Sequence, residues 1–287
     1  MDQTDWEIIN LLFEEQNITK TAERMYISQP ALTYRIKSIE KKLGVKIIHR
    51  TKQRIKFTLE GEYVAEYAQN MVEQYQSLKD KLENSNDDNK GTIRIGVSTN
   101  FARFILPQIL NAFLELYPEV QFHVTTSWSE SILEMAEKGN IHLAIVRGDF
   151  LWEHEKVLLK REPISVISKK PIDIKRLSDE PRIMFHTDPD LQQTIDHWWQ
   201  ENFVKAPKVA MMIDNIETCT KMVESGLGYA IVPEISLTDH DGLEKMPLRD
   251  KNNEKILRDT WLLYHDTDAE YPIIKKFIDF ISEISGV

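Results

Sequence analysis

The sequence predicts a mixed α/β chain in three parts: an N-terminal winged helix-turn-helix, one long linker helix, and a two-lobed α/β domain. Three observations carry this reading. Residues 19–43 read as two helices around a tight turn, inside a basic stretch of an acidic chain. Residues 58–83 read as one uninterrupted amphipathic helix. After residue 91, strands and helices alternate through two similar units.

Residues 5–15 form a first helix, with Trp6, Ile9, Leu12 and Phe13 as its apolar stripe. Thr19 is a good N-cap for the next helix, which carries Ala22 and Met25 inward. Ile27-Ser28 breaks the pattern. Ser28 can cap a third helix, and Pro30 falls in its first turn, where a missing N–H costs nothing. Leu32, Ile36, Ile39 and Leu43 recur at four, three and four, giving that helix one buried stripe, and Gly44 ends it. The opposite face carries Gln29, Pro30, Thr33, Tyr34 and Lys37. A dry back and a polar, basic front fit a helix that enters the DNA major groove with its N-terminal residues against base edges. Residues 45–57, VKIIHRTKQRIKF, read as a hairpin or wing. Arg50, Thr51, Lys52 and Arg54 near its tip would grip the sugar-phosphate backbone.

A charged helix face is usually only solvated, so the charge balance decides. Residues 19–56 hold eleven basic residues and two acidic ones, a local charge of +9 in a chain of net charge −10. The remainder therefore carries −19. A basic island of this kind is the footprint of a phosphate-binding surface.

In the long helix Val64, Ala68, Met71, Tyr75, Leu78 and Leu82 repeat at four and three, a heptad seam. The helix would span about 39 Å. A narrow seam of this length favours pairing with a second copy, and two recognition helices would then read two half-sites. Residues 84–91, NSNDDNKG, are polar and break structure. The divisions are 1–58 for the DNA-binding domain, 59–88 for the dimerising helix and 89–287 for the ligand-binding domain. Lobe I covers about 91–162 and 266–287, and lobe II about 163–265.

In the last part, strands at 92–98, 121–127 and 143–147 alternate with helices at 104–117 and 129–138, implying a parallel sheet covered on both faces. Further strands read at 158–169, 182–185, 209–213, 229–232 and 260–265, with helices at 190–203, 216–224 and 271–284. Open α/β sheets bind ligands beyond the carboxyl ends of their strands. There lie Ser98, Thr99 and Asn100, ahead of a helix opening near Arg103, and Arg147 at the end of the third strand. Thr218 and Cys219 stand near a helix start in the second unit, and Arg258 precedes the strand at 260. Two converging arginines would favour a carboxylate, whose geometry the guanidinium fork matches. The alternative is that each arginine pairs with an acid of its own domain.

Enzyme chemistry finds little support. The eight histidines are scattered, with no metal-ligand spacing, and no phosphate loop or nucleophile elbow is present. Gly226-x-Gly228 lacks the third glycine of a dinucleotide fingerprint. No cofactor is expected. One cysteine, acids at the start of the chain and no membrane-length apolar run point to the cytoplasm.

Together the segments resemble the LysR-type transcriptional regulators over essentially the whole chain. Most specific is the stretch from Thr19 to Arg50, with T-x-x-A-E, S-Q-P-A-L-T, I-x-x-I-E, L-G-V and a closing arginine at the family's spacing. Gly61 after Thr58 matches the start of the linker helix, and Gly91-Thr92-Ile93-Arg94-Ile95-Gly96 resembles the first effector-domain strand. Gly226-x-Gly228 with Val232-Pro233 resembles the second-lobe signature. Two departures stand out: Ile47-Ile48 replaces the usual Leu-Phe, and His142 the common aspartate. The resemblance implies a sequence-specific DNA-binding regulator that is not an enzyme. It implies a dimer through the linker helix, usually a homotetramer, and an effector domain like periplasmic binding proteins. A small metabolite would sit between its lobes, with the effector at Ser98 to Asn100. Segments like Val-Arg-Gly-Asp and Arg-x-Thr resemble a subgroup of carbon-metabolism regulators, pointing to a carboxylate such as citrate. The competing class is a solute-binding or catalytic α/β protein with an incidental helical N-terminal domain, which would need neither basic island nor heptad seam.

Overall fold

The computed structural model describes residues 1–50, 55–84, 88–237 and 242–285. The chain divides into two compact units, Met1–Leu82 and Glu83–Val287.

In the first unit, α1 (Gln3–Glu15) starts from a reciprocal cap, in which Asp2 and Asp5 each accept the other's backbone N–H. Ile8, Ile9 and Leu12 are its buried stripe; Phe13 lies at the edge, 5.0 Å from the Phe57 ring. α2 (Ile18–Arg24) is capped by Asn17, not by Thr19. The Asn17 carboxamide oxygen accepts from the N–H groups of Thr19 and Lys20, so Thr19 lies inside the first turn. α3 (Gln29–Leu43) is capped by Ser28 as the sequence predicts and closed by Gly44 at φ 73°. Leu32, Ile36 and Ile39 are buried, but Leu43 is 38% exposed, because the last turn of α3 runs past the core.

β1 (Ile48–Arg50) and β2 (Ile55–Phe57) form the antiparallel wing, and Ile47, Ile48 and Ile55 join the helix core. The Ile47-Ile48 departure is therefore one of packing shape. α4 (Leu59–Asn84) begins against the wing. A Cβ on Gly61 would stand 2.1 Å from the Ile47 carbonyl oxygen, so only glycine permits this approach. The heptad seam divides in two. Ala65 and Ala68 are buried in the core of their own unit with Val64 beside them, whereas Tyr75, Leu78 and Leu82 are exposed.

In the second unit, β3 (Gly91–Ser98), α5 (Thr99–Phe104), α6 (Leu106–Leu116), β4 (Val120–Ser127), α7 (Ser129–Glu137) and β5 (Leu143–Arg147) build the first lobe. His142, in place of the family's aspartate, is buried; its Nδ1 accepts from the Arg94 N–H at 3.1 Å. β6 (Glu155–Ser168) then leads to β7 (Pro181–Phe185), α8 (Pro189–Asn202), β8 (Lys208–Ile213), α9 (Ile216–Glu224), β9 (Ala230–Pro233) and β10 (Glu244–Pro247). β11 (Leu257–Tyr264) and α10 (Pro272–Ser285) complete the chain.

The sheet is mixed rather than parallel. β3 pairs β4 and β5 in parallel, but β11 runs antiparallel between β5 and β6. An alternating apolar pattern is the same for either direction, so the sequence hid this. The lobe boundary also moves. Leu262 and Tyr264 of β11 belong to the first lobe's core, so lobe II ends before β11 and not near residue 265. The 14-residue β6 pairs β11 with its first half and β9 and β10 with its second, carrying the chain between lobes. Lobe II has its own core around Trp198, Tyr229 and Ile231.

Candidate functional site

Two regions stand out, one in each unit. In the first, Gln29, Pro30, Tyr34 and Lys37 project from α3, with Thr33 half-buried between them. Tyr34 is 77% exposed, and Tyr26, at φ 55° in the turn before α3, is 96% exposed. An exposed aromatic in the turn was the signal for Tyr26, which the helical periodicity passes over. Thr19 is exposed at the start of α2.

The basic island is narrower than its residue count. Arg24 pairs with Glu14 and Glu15 at 3.1 and 2.7 Å, and Lys46 with Glu40 at 2.7 Å. Arg35 holds Asp2 and Asp5, and Lys42 also reaches Asp5 at 3.2 Å. Burial pushes the Asp5 carboxyl up, but Arg35, the Asp2 N–H and Lys42 together bring it below its ordinary value. Glu40 behaves likewise: burial opposes, Lys46 and the N–H groups of Ile47 and Ile48 prevail, and the wing is tied to α3. These pairs orient the elements. Lys20, Lys37, Lys41 and Lys56 have no acidic partner among the described residues, which leaves them for an outside anion. Arg50 closes β1, while Thr51, Lys52 and Arg54 lie outside the described residues.

In the second unit a cleft of about 150 Å³ opens where the carboxyl ends of strands from both lobes meet. Ser98, Thr99 and Asn100 line it from β3 and α5, with Ser127 and Trp128 after β4. His186 and Asp188 after β7 and Asp214 after β8 face them from lobe II. The Trp128 and His186 rings come within 5.2 Å across the lobes. The strand-end rule, applied to every strand rather than the first and third, would have found these residues. α5 starts at Thr99 itself, earlier than predicted, and no side chain caps it. The Ser98 hydroxyl is buried there without a partner.

The arginines do not present free forks. Arg147 lines the cleft but is bound to buried Glu162, and its Nε donates to Thr260 at 3.4 Å. Burial lowers the Arg147 pKa and raises that of Glu162, each against the other's attraction. Arg258 does not line this cleft; it pairs with Asp188 at 2.7 Å. Arg103 pairs with Glu217 at 2.9 Å. Thr218 also stays out of the lining, because α9 turns its first residues so that Asn215 caps the Thr218 N–H. Cys219 is buried in the lobe II core, its thiol pushed by burial up to about 12 against the opposing Arg182, so it is inert. The three arginines share one feature that the sequence does not announce: an acid distant along the chain reaches each of them.

Comparisons with known proteins cover both units. The family described as "Bacterial regulatory helix-turn-helix protein, lysR family" matches residues 4–62, and "LysR substrate binding domain" matches residues 86–285. The HTH-type transcriptional regulator YraN of Bacillus subtilis is 41% identical, covering 98% of this chain and 97% of its own. The activator IlvY of Haemophilus influenzae is 26% identical over 82% of this chain and 84% of its own. Among solved structures, full-length CbnR complexed with its target DNA aligns with a TM-score of 0.72 at 16% identity, covering 100% of both chains. Full-length OxyR from Pseudomonas aeruginosa aligns at 0.63 and 22% identity, over 99% of this chain and 94% of that one.

Proposed function

Since the chain belongs to the LysR family of transcriptional regulators and is a DNA-binding regulator with an effector-binding domain, we propose how its own residues divide that work. Residues 1–58 bind DNA, 59–88 dimerise and 89–287 receive the effector. The front of α3 (Gln29, Pro30, Thr33, Tyr34 and Lys37, with Ser28 at its cap) reads base edges in the major groove. Thr19, Lys20, Lys41 and the wing residues Arg50, Thr51, Lys52 and Arg54 hold the phosphate backbone. The single observation that carries this is the exposure of Gln29, Tyr34 and Lys37 on a helix whose Arg35 and Lys42 are already paired. A gel-shift titration tests it: retardation that weakens steeply with salt supports the assignment, and no retardation at low salt overturns it.

Exposed Tyr75, Leu78 and Leu82 support a homodimer through α4. Exposed Val209 and Met212 on the edge strand β8 support a tetramer through the effector domains. The effector is a small metabolite carrying one oxyanion. The unpartnered Ser98 hydroxyl and the uncapped start of α5 favour an acceptor group. The pairing of Arg147 and Arg258 removes the reason to expect a di- or tricarboxylate. A monocarboxylate binds there through neutral donors. The relatives are named transcriptional regulators, so a solute-binding or catalytic role is not favoured. No helix among the described residues is long and apolar enough to cross a membrane, and the proposed site of action is the cytoplasm.

A further inference from the structure

A second cavity, of about 350 Å³, opens in lobe II between the link from β6 to β7 and the turn from α9 to β9. It shares no lining residue with the cleft at Ser98.

The link lines it with Lys169, Lys170 and Arg176, all exposed, and with Asp173 and the partly exposed Glu180. Gly226 and Gly228 line it from the turn, Gly226 at φ 81°. A Cβ on Gly226 would stand 3.3 Å from Lys169 Cδ, so the stem of that lysine lies along the glycine turn. The Gly226-x-Gly228 pair, which is no dinucleotide fingerprint, thus shapes one wall of this hollow.

The charge here runs against its surroundings. Residues 83–287 hold 23 basic and 34 acidic residues, a net charge of −11. Residues 169–176 hold four basic residues and one acid. On the same unit Arg103, Arg161, Lys205, Lys221 and Lys251 each meet an acid at 2.7–3.3 Å. Lys169, Lys170 and Arg176 meet none among the described residues, although Asp173 and Glu180 line the same hollow. Scattered surface lysines are merely solvated, but cations around one concavity add their fields and concentrate anions there.

We infer that this cavity is a second ligand site, for a small phosphorylated polyol or sugar. The phosphoryl oxygens accept from Lys169, Lys170 and Arg176, whose guanidinium gives a two-pronged contact. Hydroxyls of the ligand donate to Asp173 and Glu180. Asp173 is held for this by the Lys175 N–H, which donates to its Oδ1 at 3.0 Å. The volume suits a small molecule. A duplex fits poorly, because its closely spaced phosphates would also meet Asp173 and Glu180. This site goes beyond the DNA face and the effector cleft, and stands whatever that cleft binds.

Isothermal titration of the full-length protein at fixed ionic strength tests this. The probes are glycerol 3-phosphate, ribose 5-phosphate and glucose 6-phosphate, each against its unphosphorylated counterpart. We expect at least one ester to bind, and its counterpart to bind at least about ten-fold more weakly, as loss of a hydrogen bond to a charged group requires. Lys170→Glu and Arg176→Glu should each weaken binding by a similar factor. Lys175→Glu makes the same charge change in the same segment but outside the lining, and should leave binding unchanged. Either lining variant suffices provided it melts at the wild-type temperature. The inference is overturned if no ester binds, if a counterpart binds equally well, if neither lining variant weakens binding, or if Lys175→Glu weakens it as much as Arg176→Glu.

Discussion

Arg147 and Glu162 are in direct contact at 2% and 4% exposure, tying β5 to β6 across the intervening β11. Thr260 of β11 lies under the same guanidinium. Removing one member of a buried pair leaves the other uncompensated, which costs about 3–5 kcal/mol. Arg147→Ala and Glu162→Gln should each lower the denaturant midpoint of the effector domain accordingly. The double variant should lose less than the sum. Unchanged stability with a lost ligand response would make Arg147 an effector contact instead.

The winged helix should have an acid-sensitive stability. The Asp5 carboxyl is held below its ordinary value in the fold, so its contribution is fully present above the unfolded carboxylate pKa of about 4. That contribution is lost as pH falls through the lower folded value. Asp5→Asn should be less stable than wild type at pH 7 and should lose the extra fall between about pH 5 and 2. Circular dichroism during acid titration of both proteins measures this; parallel curves would contradict it.

Much of the fold was legible because local rules and tertiary packing agree. Ser28, Pro30 and Gly44 punctuate α3 where propensity says they should, and Gly61 had to be glycine because Ile47 crosses it. What stayed hidden was non-local. Nothing near Leu43 says that the core ends at Ile39. Nothing near Arg147 or Arg258 announces Glu162 or Asp188. The Ser98 corner was readable because backbone and hydroxyl donors sit where one strand ends, whereas Trp128, His186 and Asp214 needed every strand end to be considered.

Replacing Leu78 or Leu82 by Glu puts a charge into the exposed half of the α4 seam. Both variants should fold, since neither side chain belongs to the core of its unit. Sedimentation should show the oligomer breaking down at micromolar concentration. An unaltered assembly would move the dimer contact off α4.

Ser98→Ala removes the unpartnered hydroxyl at the cleft. In a thermal-shift panel of small monocarboxylates, the shift given by the best ligand should shrink by the worth of a hydrogen bond to a charged group, about 1.5–3 kcal/mol. A full shift in the variant would place the effector elsewhere.

Arg50→Ala should weaken binding to all duplexes alike and lower the salt slope by about 1. Tyr34→Ala and Lys37→Ala should instead cost about 1–3 kcal/mol on preferred sites and relax the choice of bases there. The reverse pattern would mean that the groove-facing side is misassigned.

The most direct measurement is selection of bound duplexes from a randomised library, by the wild type and by Tyr34→Ala in parallel. The wild type should enrich an inverted repeat whose half-sites lie one helical turn or a multiple apart, and Tyr34→Ala should change the enriched bases without changing that spacing. Recovery of the same bases with Tyr34→Ala, or of no repeat by either protein, would contradict a paired α3 reading DNA.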